Sequence, residues 1–117
     1  MSSCPDIHVQ SHLAEALQPS VRVCESTLAA YRDHAEPATG ASFFAALTLA
    51  LAGIERAIAS GHGDPTHDAS LLIAASLCRE AASSIRRHGF DADLLRCADA
   101  CERAAHTCEA AVENAQT

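Results

Sequence analysis

Apolar residues recur alternately every three and four positions along most of this chain, which is typical of helices that bury one stripe in a shared seam. No strand pattern, with its period of two, competes with this spacing. In chain order the four stripes are Leu17, Val21, Cys24, Leu28 and Tyr31; Phe44, Leu47, Leu51, Ile54 and Ile58; His67, Leu71, Ala74, Cys78, Ala81, Ile85 and His88; and Leu94, Cys97, Cys101, Ala104, Cys108 and Ala111. The pattern therefore predicts an all-α protein with four long helices.

Proline and glycine divide the chain into five segments, at Pro19, Glu36–Gly40, Gly61–Pro65 and His88–Gly89. Asp64 before Pro65 is a natural helix start, and Gly89 is a natural helix stop. The segments predict helices at roughly 5–18, 19–35, 42–60, 65–88 and 92–114. Short connections favour antiparallel neighbours, so we expect an up-down-up-down four-helix bundle over residues 19–117, preceded by a short helical extension over residues 1–18.

Composition narrows the class of protein. A chain of 117 residues has room for one core, and 3% aromatic residues without tryptophan favour close, alanine-rich helix packing. The net charge of −7 and scattered arginines exclude nucleic acid as a partner. The longest apolar run, Phe43–Ile54, is interrupted by Thr48 and Gly53, so we expect a bundle helix and no membrane span. Without signal-peptide features at the N-terminus, we expect a cytoplasmic protein with reduced thiols.

Five of the six cysteines fall on the predicted stripes: Cys24, Cys78, Cys97, Cys101 and Cys108. A buried cysteine commonly serves as a small hydrophobic residue, but three on one seam with two on facing helices indicate a shared role. Disulfides are a poor explanation, because Cys97 and Cys101 point the same way from one helix. Thiolates that converge in a dry core suit a soft ion of low coordination number, with Cu(I) first and zinc second if a histidine joins.

The connections also predict which cysteines meet. Folding the last two helices about Gly89 sets Cys101 opposite Cys78, with Cys97 one turn nearer the connection. Carrying the register around the bundle places Cys24 near the layer of Cys108. We therefore expect one group of three thiols and one of two, separated by roughly 10 Å along the axis.

The last predicted helix resembles a known family. Its sequence Cys97-Ala-Asp-Ala-Cys101-Glu-Arg-Ala104-Ala-His-Thr-Cys108-Glu is similar to the last helix of the bacterial four-helix-bundle copper storage proteins, which repeats Cys-x3-Cys-x2-Cys-x3-Cys. Ala104 stands where that family has its third cysteine, and the segment 87–96 looks like its last interhelical link. The resemblance spans residues 20–114 and is specific in the final third.

The resemblance implies a bundle whose core holds Cu(I) between cysteine pairs. Here the first and third helices each carry one core cysteine and the second carries none, which indicates a capacity of a few ions at most. The expected ligands are the five stripe cysteines, Cys24, Cys78, Cys97, Cys101 and Cys108, with His88 as the auxiliary group.

Other histidines offer further candidates. Cys4, His8 and His12 are spaced four apart, so one helical face can present all three to a second metal, although chain ends are commonly loose. His67 and His88 end the third stripe, where each either bridges core and solvent or caps a thiol group.

Two other classes of function stay open from the residues. A metal-free helical module that dimerises or binds a protein partner predicts an exposed apolar patch, with Phe43, Leu49 and Leu72 as candidates beside the stripes. An enzyme needs an open pocket, for instance one that reaches Cys97 and His88 as nucleophile and base. No Glu-x-x-His pair, phosphate-binding loop or hydrolase motif supports catalysis, so an enzyme is the less favoured reading.

Overall fold

Four long helices make up almost all of the described chain. The computed structural model describes residues 5–32, 37–60, 65–88 and 92–116, and the side chains of residues 12–30, 43–60, 65–87 and 92–113. The helices are α1 (Pro5–Arg32), α2 (Pro37–Ser60), α3 (His67–His88) and α4 (Ala92–Gln116). Within these ranges there is no strand, which confirms the predicted all-α class.

The helices pack in a closed ring in which α1 contacts α2, α2 contacts α3, α3 contacts α4, and α4 contacts α1. The direction of α3 against α4 follows from two ion pairs: Arg79 binds Glu109, and Arg86 binds Glu102. One residue number rises as the other falls, so these helices are antiparallel. The molecule measures 53 × 23 × 20 Å, as expected for a four-helix bundle.

Small side chains fill most of the core. Besides cysteines, the largest fully buried side chains are Leu17, Leu47, Ile54, Leu71 and Ile85. Most of the other buried hydrophobic residues are alanines, among them Ala74, Ala81, Ala98, Ala104 and Ala105. Because alanine side chains are short, the helix backbones approach closely and leave little space between the aliphatic layers.

The break predicted at Pro19 is absent, because α1 runs on through this residue. A proline inside a helix removes one hydrogen bond and costs about 3 kcal/mol. Leu13 and Leu17 before the proline and Cys24 after it are all buried on the bundle side. Burial of each leucine contributes roughly 1.5–3 kcal/mol, which offsets the loss. The predicted N-terminal extension and the first bundle helix are therefore one helix.

The starts of α2 and α3 also differ from the predicted ones. The helix α2 begins at Pro37 rather than near residue 42, because proline fits the first helical position, where an amide donor has no partner. The helix α3 begins at His67, two residues late, after a turn at residues 65–66 in which the Ser70 amide donates to the Thr66 carbonyl. The predicted cap Asp64 lies outside the described residues.

The helix α2 is apolar on nearly every side. Its window Phe43–Ser60 has a mean hydropathy of 1.5 over 18 residues, which is long and apolar enough to cross a membrane by length and composition. The sequence analysis expected no membrane span, because Thr48 and Gly53 interrupt the apolar run. A mean hydropathy over 18 residues stays high despite these two positions. A core helix passes the same test, and Leu47 and Ile54 of this window are fully buried in the bundle.

The same uniformity explains an error in the predicted α2 stripe. Phe43 is buried, whereas Phe44 is only partly buried, so the buried face is turned from the predicted one. Spacing cannot select a face where almost every position is apolar. Of the three residues predicted for an exposed patch, Phe43 is therefore wrong, while Leu49 and Leu72 are more than half exposed.

Candidate metal centre

The helices α1 and α4 bring three cysteines together in the core. Cys97 and Cys101 are four residues apart, so they lie on one face of α4, and Cys24 meets them from α1. All three side chains are at most 1% exposed. Their sulfur atoms lie within 4.8 Å of one another, and the Sγ atoms of Cys24 and Cys101 are 3.7 Å apart. We call these residues the thiol triad.

The spacing of the triad suits a single metal ion. With metal–sulfur bonds of about 2.3 Å, a trigonal planar ion holds its three sulfurs about 4.0 Å apart. The observed separations are of this size, so the sulfurs need to shift by only a fraction of an ångström to bind an ion at their centre. The triad is thus nearly organised for metal binding before an ion arrives.

Hydrogen bonds within the triad favour a single thiolate. The pKa of Cys97 lies well below its ordinary value, because the thiols of Cys101 and Cys24 hydrogen-bond to its sulfur. The pKa of Cys101 is raised by its hydrogen bonds to Cys24 and Cys97 and by burial. For Cys24, the hydrogen bond with Cys101 lowers the pKa, but the hydrogen bond to Cys97 and burial outweigh it and raise the pKa overall. Within the triad, ionisation is therefore favoured at Cys97.

Thr27 is a fourth member of the site that the sequence analysis missed. This side chain is only 7% exposed, and its hydroxyl donates to the Val23 carbonyl at 2.9 Å. A hydrogen bond between the same hydroxyl and Cys97 helps to lower the pKa of that thiol. The signal was present in the sequence, since Ser20, Cys24 and Thr27 continue the spacing of four and three along α1.

The two remaining core cysteines lie on α3 and α4 and are equally buried. Cys78 on α3 and Cys108 on α4 have fully buried side chains. Burial, together with the nearby Cys108, raises the pKa of Cys78 to about 12. Burial also raises the pKa of Cys108 to about 11. Cys108 is seven residues beyond Cys101, or roughly 10 Å along α4. We call Cys78 and Cys108 the thiol pair.

The predicted membership of the two groups is wrong. Cys24 belongs with Cys97 and Cys101, whereas Cys78 interacts with Cys108, so Cys24 and Cys78 exchange the places assigned from the sequence. Both α1 and α3 border α4, and the level at which each crosses α4 depends on its shift along the bundle axis. That shift is not encoded in the local spacing of apolar residues.

The predicted histidine ligands are not part of the described site. The side chains of His88 and His8, and all of Cys4, lie outside the described residues, so these predictions stay predictions. His12 is exposed. His67 is buried at the start of α3, where its Nδ1 atom lies 2.8 Å from the Ser60 hydroxyl. Arg86 near the end of α3 pairs with Asp99 beside the triad, so His67 lies roughly 30 Å away along α3.

The chemistry of the triad is that of a soft-metal site. Among the described residues it is the one group of three or more metal-ligating side chains, and no histidine or carboxylate completes it. Buried sulfur ligands favour soft, thiophilic ions over Mg²⁺ or Ca²⁺, which prefer oxygen. Comparisons of the chain with protein families, with curated proteins and with solved structures find no match.

Proposed function

We propose that this protein binds Cu(I) at low capacity, with the thiol triad as its principal site. The observation that carries the proposal is the convergence of Cys24, Cys97 and Cys101 within 4.8 Å in a core from which water is excluded. Thiolate is the ligand that Cu(I) prefers, and a dry core protects the ion from oxidation and from competing oxygen ligands.

Cu(I) suits the triad better than zinc because of coordination number. Zinc in structural sites is almost always bound by four ligands, and here three sulfurs converge without a fourth histidine, cysteine or carboxylate among the described side chains. An ion that is satisfied by two or three sulfurs needs no additional ligand. Zinc is the second choice, and it requires a further ligand such as His88 from beyond the described side chains.

The thiol pair of Cys78 and Cys108 is the proposed second site. Two buried thiols on facing helices suit an ion with two ligands, although both thiols must first lose protons against raised pKa values. Together the two groups provide for one to a few ions. The resemblance of the segment Cys97–Cys108 to copper storage proteins agrees with this role, and the small number of core thiols favours buffering or delivery over bulk storage.

The proposal requires a reducing compartment, of which the cytoplasm is the simplest instance. The five core cysteines are free thiols in the structure, including Cys24 and Cys101, whose sulfurs approach across two helices. Oxidation of this pair would remove two of the three ligands of the triad. Reduced thiols are therefore a condition of metal binding here.

The test is an anaerobic titration of the reduced protein with Cu(I) in competition with a chromogenic chelator. The wild-type chain is expected to withdraw one to a few equivalents from the chelator. The variant Cys24→Ala/Cys101→Ala is expected to lose the tightest equivalent, because a single sulfur remains in the triad. Alanine suits these positions, since it leaves no competing oxygen ligand and favours the helix.

The matched control is Cys78→Ala/Cys108→Ala, which also removes two buried thiols from two helices. This control is expected to keep the tightest equivalent and to lose at most a weaker one. Circular dichroism establishes that both variants are folded. Equal stoichiometry and affinity in the triad variant and the wild type would contradict the assignment of Cu(I) to the triad.

A second candidate function is self-association or binding of a protein partner. It is favoured by the exposure of large apolar side chains on the adjacent helices α2 and α3: Leu49 is 55%, Leu72 51% and Ile73 54% exposed. Light scattering of the eluted protein over a hundredfold range of concentration, with and without Cu(I), separates the two functions. A mass that doubles with concentration and ignores Cu(I) would favour the apolar surface over the metal site.

A further inference from the structure

An open cavity of about 310 Å³ lies between α1 and α4, directly beside the thiol triad. Arg22, Ser26 and Thr27 line it from α1, and Asp93 and Arg96 line it from α4. Ligand pockets in proteins span roughly 300–1,000 Å³, so this volume suits a small molecule and not a protein domain. We call it the α1–α4 groove.

Thr27 connects the groove to the metal site. The same side chain lines the groove and hydrogen-bonds to Cys97. Its hydroxyl donates to the Val23 carbonyl at 2.9 Å, and Cys24 lies three residues before it on the same helix. Thr27 is thus the side chain that the groove and the triad share.

The groove is positively charged on a negatively charged protein. Arg22 and Arg96 face Asp93 there, which leaves a net charge of about +1, whereas the whole chain carries −7. Arg96 approaches Asp93 only loosely, at 3.8 Å between exposed side chains. Exposed pairs of this kind contribute little, so both guanidinium groups can reorient toward a carboxylate ligand and bind it through two hydrogen bonds.

We propose that the α1–α4 groove binds a small thiol that carries carboxylates, and that this thiol delivers the metal ion to Cys97 through the side of the bundle. The inference rests on the proposed Cu(I) function and names the donor. Its carboxylates lie on Arg22 and Arg96, and its sulfur, with the ion, lies at Thr27.

The transfer is a ligand exchange without a change of oxidation state. The Cys97 sulfur forms a bond to the ion, and the bond between the ion and the donor sulfur breaks. The donor sulfur leaves with its electron pair and takes up the proton of Cys97 where that residue began as a thiol. Cys24 and Cys101 then complete the coordination and release their thiol protons to solvent, since their sulfurs lie within 4.8 Å of the Cys97 sulfur. The route differs from the one that the sequence suggested, in which His88 guards an end of the bundle.

The first arm of the test measures the rate of Cu(I) uptake from two donors. Glutathione supplies an anionic Cu(I) complex, and 2-mercaptoethanol supplies one without carboxylates. In Arg22→Gln/Arg96→Gln, uptake from the glutathione complex is expected to slow by about tenfold or more, because electrostatic attraction and docking are lost. Uptake from the 2-mercaptoethanol complex is expected to change less than twofold, and the final stoichiometry is expected to stay the same.

The matched control is Arg56→Gln/Arg103→Gln, which removes the same charge from exposed positions outside the groove. It is expected to leave both rates within twofold of the wild type. Slowing of the groove variant and the control by the same factor, or equal slowing with both donors, would refute the groove as the site of delivery.

The second arm needs no metal. S-methylglutathione, whose sulfur cannot bind Cu(I) as a thiolate, is added to the metal-free ¹⁵N-labelled protein. Shifts of amide resonances are expected along residues 22–30 and 93–97, and they are expected to vanish in Arg22→Gln/Arg96→Gln. Absence of shifts in the wild type would overturn the groove inference even where Cu(I) binds. Conversely, amide resonance shifts in a protein that takes up no Cu(I) would support ligand binding in the groove and contradict the proposed metal function.

Discussion

At the scale of single residues, the core thiols fall into two electrostatic classes. In the triad, sulfur–sulfur hydrogen bonds lower the pKa of Cys97 and raise the pKa of Cys101. In the thiol pair, burial is the first cause for both residues and raises the pKa of Cys78 and of Cys108. The triad therefore favours ionisation of one of its ligands, whereas both thiols of the pair lose their protons only against raised pKa values.

This difference predicts how the stability of the metal-free protein changes with pH. In the unfolded chain Cys78 and Cys108 ionise near pH 8.5, but in the folded chain they keep their protons until pH values of about 12 and about 11. Their contribution is complete below pH 8.5 and is lost as pH rises toward the folded pKa values. Each thiol is expected to remove up to about 1.4 kcal/mol of unfolding free energy per pH unit in this window.

The measurement is urea unfolding of the metal-free protein, followed by circular dichroism at pH 8, 9 and 10. The variant Cys78→Ala/Cys108→Ala is the control, because it lacks both groups and is expected to lose less stability over the same range. Parallel pH profiles for the variant and the wild type would show that these thiols keep ordinary pKa values in the fold.

The residue scale also shows what the sequence could and could not give. The spacing of apolar residues identified all five core cysteines as buried, and the structure confirms their burial. It missed Thr27, because a polar residue on a buried face is not distinguished from a solvated one by hydropathy. The hydrogen bond between Thr27 and Cys97 depends on α4, which is about 70 residues away along the chain.

At the scale of helices, α2 and α3 approach each other closely at Gly53. A Cβ atom placed on Gly53 would lie 2.9 Å from the Leu77 Cδ1 atom and 3.3 Å from the Ala74 Cα atom. The leucine tip can turn away, but the α3 backbone at Ala74 can yield only if the helices separate. Gly53 therefore sets the distance between α2 and α3, and the missing side chain is a packing requirement.

Gly53→Ala is accordingly expected to destabilise the bundle by roughly 1 kcal/mol. Overpacking costs about 1–3 kcal/mol, and the higher helix propensity of alanine returns at most about 1 kcal/mol. The exposed neighbour provides the control, since Ala52→Gly reports the propensity difference without a packing change. Denaturant unfolding of both variants is the measurement. A stabilised Gly53→Ala variant would mean that α2 and α3 have space to spare at this point.

Prediction from sequence succeeded for the existence of the helices and failed for their relative positions. The stripes define which face of α1, α3 and α4 is buried, because polar residues cover the opposite faces. They do not define how far one helix is shifted along another, and a shift of two turns was enough to exchange Cys24 and Cys78 between the groups.

At the scale of the whole molecule, the triad joins the first and the last helix of the chain. Cys24 is on α1, whereas Cys97 and Cys101 are on α4, so a bound ion ties together two helices that no short connection links. The helix α1 also packs less extensively against its neighbours than α3 does. An ion in the triad therefore acts on the helix that packs least extensively against the rest of the bundle.

Metal loading is expected to protect α1 more than the other helices. One bound Cu(I) at a free concentration a hundred times its dissociation constant adds about 2.7 kcal/mol to the stability of the folded state, which raises the thermal midpoint. Because the ion fixes α1 to α4, opening of α1 alone becomes rare. Backbone amides near Cys24 should then exchange with solvent at least tenfold more slowly. Amides of α2 should slow only where their exchange requires global unfolding of the protein.

Hydrogen exchange followed by mass spectrometry, with and without one equivalent of Cu(I), measures this pattern helix by helix. Cys24→Ala is the informative comparison, because it leaves the two sulfurs of α4 able to hold an ion without engaging α1. In that variant, Cu(I) is expected to protect α4 and to leave α1 as it is in the metal-free protein. Equal protection of α1 by Cu(I) in the variant and the wild type would contradict a link through Cys24, and the stabilisation would then arise from α4 alone.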